Sequence, residues 1–371
     1  MEPNSPTPPP GSPERPPGQP PLATPVSAQP ARPPAKKPAR NAAKFVLLLL
    51  VLGLLGSIVL NFLLCGLVGL TGLASLDKDR KVREKFYSHQ KDGRHKVAVL
   101  SIEGTIISGE GFAKDQIDQA MKDKNLKALV LRVNSPGGTI TGSDYIYHHL
   151  RKLAEKRKIP IVVSMGGLAA SGGYYISMAV GDTPDSIYAE PTTWTGSIGV
   201  IIPHYDLSKM LDHWGVEEDS ITSDPLKRMG SFARPMTEKE RRIFQALVDD
   251  GFTTFKDAVK KGRPKFREDS EALDVLATGQ IFTARQAVEN GLVDKIGFLD
   301  DAIEGAIKLA KLDPAKVKVV RYRREPTLAD VLMGAEARAE PFDLAAMLEM
   351  TAPRAYYLCT WLPPLAGTAK Q

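Results

Sequence analysis

Three short stretches carry residue types able to perform acyl transfer. The first is Met165-Gly166-Gly167-Leu168-Ala169-Ala170-Ser171-Gly172-Gly173-Tyr174-Tyr175, which follows an apolar run and sets one serine among small residues. At a strand-to-helix junction, the free N–H groups of the first helical turn and its positive dipole end can hold a developing oxyanion. A plain helix cap is an equally common use of serine at such a place. The residues leave both roles open for Ser171. The second stretch, Asn134-Ser135-Pro136-Gly137-Gly138, also stands directly behind an apolar run. Proline fixes one turn residue, and paired glycines let backbone approach another group closely. A tight turn with no further role fits these five residues as well.

A serine hydroxyl is a poor nucleophile until a base takes its proton. None of the six histidines (His89, His95, His148, His149, His204, His213) stands in an obvious triad context. A lysine can act instead where burial favours the neutral amine. The third stretch, Ser223-Asp224-Pro225-Leu226-Lys227, offers that amine, and Ser197 in Thr193-Trp194-Thr195-Gly196-Ser197-Ile198-Gly199 offers a hydroxyl to orient it. By type alone Lys227 is one lysine among many, and an exposed one is the plain reading.

These stretches need elements to hold them. Lys96–Ile107, Leu126–Val133 and Ile159–Ser164 read as strands, with helical spacing at Gln116–Lys124, Ile140–Lys156 and Ala169–Val180. Ser186–Tyr188 and Gly196–Ile202 read as further short strands, and Thr237–Lys311 is mostly helical in pattern. Alternating strands and helices with buried apolar strands predict an α/β body on a mainly parallel sheet.

The 371 residues leave room for one large domain or two modest ones. The net charge of +6 is concentrated at the front, where residues 1–44 hold six basic side chains against Glu2 and Glu14. The remainder is nearly neutral, so no broad basic face for nucleic acid is implied. Two cysteines, Cys65 and Cys359, exclude a disulfide-rich scaffold and a cysteine-based zinc cluster. Fifteen of the 29 prolines fall within residues 1–44, with few large apolar side chains, and this reads as a disordered tail. Phe45–Leu70 carries no charged residue, and the segment 45–75 is expected to form a single transmembrane helix. Lys36, Lys37, Arg40 and Lys44 before it nearly balance Lys78, Arg80, Lys81, Arg83 and Lys85 behind it, so charge does not orient it. Residues 76–95 read as a juxtamembrane linker. Residues 325–371 read as an Ala/Pro-rich extension whose late aromatics, Tyr356-Tyr357 and Trp361, suit docking on its own domain, a neighbouring subunit or a membrane surface.

In combination, Asn134–Gly138, Ala170-Ser171-Gly172-Gly173-Tyr174-Tyr175 and Thr195-Gly196-Ser197-Ile198-Gly199-Val200 resemble the signal peptide peptidase SppA group, peptidase family S49. Thr278-Gly279-Gln280-Ile281-Phe282-Thr283, then Ala287 and Gly291-Leu292-Val293-Asp294, extend the likeness over about Lys96–Leu312. The resemblance is to the short, single-copy form. It implies a Clp protease/crotonase-like fold of stacked parallel-sheet ββα units, and a serine protease domain over 96–324. It also implies Ser171 as nucleophile, Lys227 as general base, Ser197 as the hydroxyl orienting the lysine, and the Gly138 and Gly172 amides as the oxyanion hole. No cofactor is implied. The implied substrates are cleaved signal peptides and other membrane-released peptides, bound as a strand beside Gly138. The implied partners are further copies of the chain in a dome or ring, an octamer being one such assembly, in which the lysine comes either from the same chain or from a neighbour. The implied location is the cytoplasmic membrane with the body on the extracytoplasmic side. Two departures stand out: Asp224 lies close before the lysine, and Val180–Asp185 looks long for the family. The rival classes are an inactive membrane scaffold of the same fold and an acyl-CoA hydratase or isomerase.

Overall fold

The computed structural model describes residues 45, 47–61, 82–324 and 356–358. The chain divides into two compact units, Met1–Gly69 and Leu70–Gln371. In the first, residues 47–61 are helical and their large apolar side chains are exposed. No helix among the described residues is long and apolar enough to cross a membrane. The rest of the expected span, the proline-rich tail and most of the C-terminal extension lie outside the described residues.

In the second unit the apolar runs become strands β1 Val82–His89, β2 His95–Glu103, β3 Leu126–Ser135, β4 Gly137–Thr139, β5 Ile161–Ala170, β6 Ile187–Ala189, β7 Trp194–Gly196, β8 Ile281–Thr283, β9 Lys295–Ile296, β10 Val317–Arg324 and β11 Tyr356–Leu358. Nine of them form one sheet in the order β1-β10-β2-β3-β5-β6-β9, with β7 on β5 and β8 on β7. From β10 to β9 every neighbouring pair is parallel, which bears out the predicted mainly parallel α/β body.

The reason lies in the side-chain alternation. Along β3, Leu129, Leu131 and Val133 enter one core while Ala128 and Val130 enter the other. A strand apolar on both faces is stable only when both are covered, the condition that crossover helices meet. Helices α1 Phe112–Lys122, α2 Ile140–Arg157, α3 Gly172–Ser177 and α4 Glu238–Gly262 contribute to the larger core. On the other face α5 Leu299–Leu309 buries Leu299, Ala302, Ile303, Ala306 and Ile307, one stripe at helical spacing.

Three expectations change. The segment read as a juxtamembrane linker contains β1, which pairs antiparallel with β10 through Phe86↔Val320 and its neighbours. Its partner lies more than 200 residues away, so local sequence carries little sign of it. The strand expected over Gly196–Ile202 stops at Gly196, because Ser197 turns at φ 51° and gives its N–H to Gln280 O at 2.7 Å. The helix expected from Ala169 starts at Gly172, since β5 continues through Gly166-Gly167 to Ala170.

Candidate active site

β3 and β5 are adjacent and parallel, with Ser135 opposite Ala169, so the two glycine-containing stretches emerge at the same end of the sheet. That end is where α/β folds build sites. Only Ser171 separates β5 from α3, and it turns through φ 53°, ψ −116°. This conformation is costly for a residue with a Cβ and persists only when its surroundings enforce it. One anchor is the Ser171 N–H, which donates to Gly196 O at 2.8 Å; another is the Ser171 carbonyl, which accepts from Tyr175 N at 2.8 Å.

The Ser171 side chain is no helix cap. Its Oγ is buried and has no hydrogen-bond partner among the described residues. A buried polar atom without a partner is costly, and such atoms mark places where something else is meant to bind or react.

Gly137, Gly138 and Gly172 close around this hydroxyl. A Cβ on Gly137, at φ 98°, would lie 2.6 Å from the Gly172 nitrogen and 3.1 Å from the Ser171 Cβ. One on Gly172 would lie 3.1 Å from the Gly138 nitrogen and 2.4 Å from Ser143 Oγ. Gly138 itself packs on Ile106, whose carbonyl oxygen would be 1.8 Å from an added Cβ. The two expected donor amides therefore share one crevice with Ser171. Gly172 is the first residue of α3, where a backbone N–H has no acceptor within the helix.

The backbone of Ser197 is brought next to that of Ser171. Gly196 pairs with Ala170, so Ser197 follows β7 where Ser171 follows β5; it is 7% exposed. Lys227 is not brought there. It sits on the 3₁₀ turn Pro225–Arg228 with its side chain exposed, and Ser171 Oγ takes no bond from it within one chain. Asp224, the departure before the lysine, caps that turn by accepting from Leu226 N at 2.8 Å. The segment around Lys227 exposes Tyr205, Trp214 and Ile221, at 74%, 77% and 99%.

An ion pair roots this segment. Arg234 donates to Glu240, at the start of α4, and also to Arg228 O at 3.1 Å. Glu240 closes a capping box with Thr237, and the Arg234 guanidinium holds its carboxyl down at about 2. Ser143 is a residue that sequence reasoning missed. Its buried Oγ, one turn into α2, has no hydrogen-bond partner among the described residues and faces Gly172. Tyr357, in sequence one aromatic of an apolar end, is fully buried beside Tyr175.

A model of peptidase family S49 matches residues 153–313. A "Putative protease" of Synechocystis is 38% identical over 247 residues, covering 67% of this chain and 86% of that one. A "Putative signal peptide peptidase SppA" of Enterococcus faecium is 38% identical, covering 62% of this chain and 68% of its own. The chloroplastic serine protease SPPA of Arabidopsis thaliana is 30% identical, over 70% of this chain and 41% of its own length.

Proposed function

This chain belongs to peptidase family S49 and is a protease, and on that premise we propose a membrane-anchored serine endopeptidase working through Ser171 and Lys227. The observation that carries the reading is the Ser171 hydroxyl, buried at a strained turn without a partner among the described residues and ringed by glycine backbone.

The neutral amine of Lys227 takes the Ser171 Oγ proton as the oxygen attacks a peptide carbonyl. The carbonyl π pair moves to its oxygen, which the Gly138 and Gly172 N–H groups hold. Each such donor contributes about 3 kcal/mol to transition-state stabilisation in hydrolases that use backbone or amide donors. The lysine ammonium then protonates the leaving amine, and water resolves the acyl-enzyme with the amine again taking a proton. Ser197, buried beside Ser171, orients the incoming lysine.

Lys227 is exposed in the single chain, so the reading supplies it from a neighbouring copy. The large apolar side chains exposed around it support a homo-oligomer that buries them. The substrates are cleaved signal peptides and other membrane-released peptides, as the name of the Enterococcus relative suggests. They add as a strand along Gly137–Thr139. The charge-free run Phe45–Leu70 supports anchoring in the cytoplasmic membrane through residues 45–75, with the body on the extracytoplasmic side.

A covalent serine-reactive probe tests the core of this reading. Labelling of the full chain in detergent is expected, and it should vanish in Ser171→Ala. Labelling that persists in Ser171→Ala would overturn the assignment.

A further inference from the structure

Buried serines in this fold bond through the hydroxyl as a rule. Ser135 Oγ accepts from Gly137 N at 3.1 Å, Ser164 Oγ accepts from Arg132 at 2.9 Å, and Ser186 Oγ donates to Thr183 O at 2.7 Å. Ser177, at the end of α3, turns its hydroxyl back to Gly173 O at 2.8 Å, a common outlet for a serine within a helix. Ser143, inside α2, has the Thr139 carbonyl four residues back and does not use it. Its side chain is fully buried, and its Oγ has no hydrogen-bond partner among the described residues.

That oxygen is aimed at Gly172. A Cβ there would lie 2.4 Å from Ser143 Oγ, which sets the oxygen against the Gly172 Cα. An oxygen on a glycine Cα makes at most a weak Cα–H···O contact, less than the hydroxyl loses by leaving water. Alanine at 143 would keep the helix and remove the orphaned hydroxyl, so serine is the less stable choice. An unpaired buried group of this kind beside a nucleophile points to a role in function.

The place of Ser143 in the chain shows what that role is. α2 grows directly out of β4, the strand that carries Gly138. Thr139 pins the joint: its Oγ1 accepts from Gly142 N at 3.0 Å and donates to Ile107 O at 2.8 Å. Gly138 and Ser143 thus ride on one anchored piece of chain, while Gly172 opens α3 on the other side. The point 2.4 Å from Ser143 Oγ is also 3.1 Å from Gly138 N and from Gly137 Cα. The hydroxyl therefore fills space between the two halves of the expected oxyanion hole. It also presses on the residue next to Ser171, whose turn at φ 53°, ψ −116° persists only under such enforcement.

Resting on the assignment of Ser171 as nucleophile and of the Gly138 and Gly172 amides as its oxyanion hole, we propose that Ser143 is a positioning residue. Its Oγ is a one-atom spacer on α2 that fixes the separation of the two amides and holds the strained turn. It acts through Gly172 alone. Its loss lets α3 settle toward α2, so stability rises as transition-state binding falls, and ground-state binding of the substrate is untouched.

Ser143→Ala in the full chain tests this with three readings. The urea midpoint should rise by about 0.5 M, because an unpaired buried hydroxyl is gone. Hydrolysis of a fluorogenic peptide should show kcat about tenfold lower with KM unchanged. A peptide aldehyde, which binds as the tetrahedral adduct, should lose about the same factor of ten in affinity. A falling midpoint or a lost cooperative transition would show that the hydroxyl is paired in the folded chain, and would overturn the proposal. An unchanged kcat, or a loss of kcat/KM carried wholly by KM, would overturn it as well. The midpoint is read without catalysis, so failure of the nucleophile assignment would appear only in the probe experiment, as labelling that persists in Ser171→Ala.

Discussion

The strand-end carbonyl of Gly196 accepts a 2.8 Å hydrogen bond from the N–H of Ser171. Two serines on separate strands, Ser171 after β5 and Ser197 after β7, therefore begin their turns side by side, at φ 53° and 51°. One backbone bond joins the expected nucleophile to the residue preceding its expected helper.

The strain at Ser171 predicts an unusual stability order. Glycine tolerates φ 53°, ψ −116° and alanine does not, so Ser171→Gly should be more stable than Ser171→Ala by about 1 kcal/mol. Urea midpoints of the two inactive variants check this. A stability order with alanine ahead would show that the turn is relaxed.

If each site draws its lysine from a neighbour, two inactive variants should complement. Lys227→Ala and Ser171→Ala, mixed in equal amounts and reassembled, should recover about a quarter of wild-type peptide hydrolysis, since sites in a closed ring combine serines and lysines at random. Each variant alone should be inactive. No recovery in demonstrably mixed oligomers would place serine and lysine within one chain.

Gly172→Ala should lower kcat roughly 10²–10³-fold by crowding the oxyanion position. The new Cβ would stand 2.4 Å from Ser143 Oγ and 3.1 Å from Gly138 N. Adding Ser143→Ala removes the closer clash and should restore part of kcat. Steady-state kinetics of the single and double variants read the difference, and identical values would mean that Ser143 does not press on the turn.

The Arg234–Glu240 pair predicts an acid-sensitive component of stability. The Glu240 carboxyl lies at about 2 in the folded chain, below its ordinary 4.5, so the pair stabilises fully above about pH 4.5. That contribution is lost as pH falls toward 2. Glu240→Gln should cost about 2 kcal/mol at neutral pH and flatten this part of the pH profile. Denaturant midpoints at pH 7 and pH 3 measure both effects. Hydrolysis should fall too, because Arg234 also holds the Arg228 carbonyl next to Lys227.

Much of this was open to a reader of the sequence, for local reasons. The runs that became β2, β3 and β5 have apolar centres that are buried on both faces, and such a strand needs no partner information to be recognised. Pro136-Gly137-Gly138 and the small residues around Ser171 announce close backbone approach by their own chemistry. From these the α/β body follows, whereas the roles expected of Ser171, Ser197 and Lys227 came from the resemblance to family S49.

Other features were decided only by folding. β1 has charged residues in its alternation and is a strand because β10 offers it an edge. The choice between cap and unpartnered hydroxyl at Ser171 depends on Gly196, Gly137 and the reach of β5, which lie on three strands. Tyr357 is buried because Tyr175, Phe255 and the Gly251 carbonyl, contributed by two distant helices, together make a slot for it. Local sequence encodes periodicity and turn chemistry, each a property of a few consecutive residues. Burial, strain and the occupant of a groove are set by groups that only chain packing brings together.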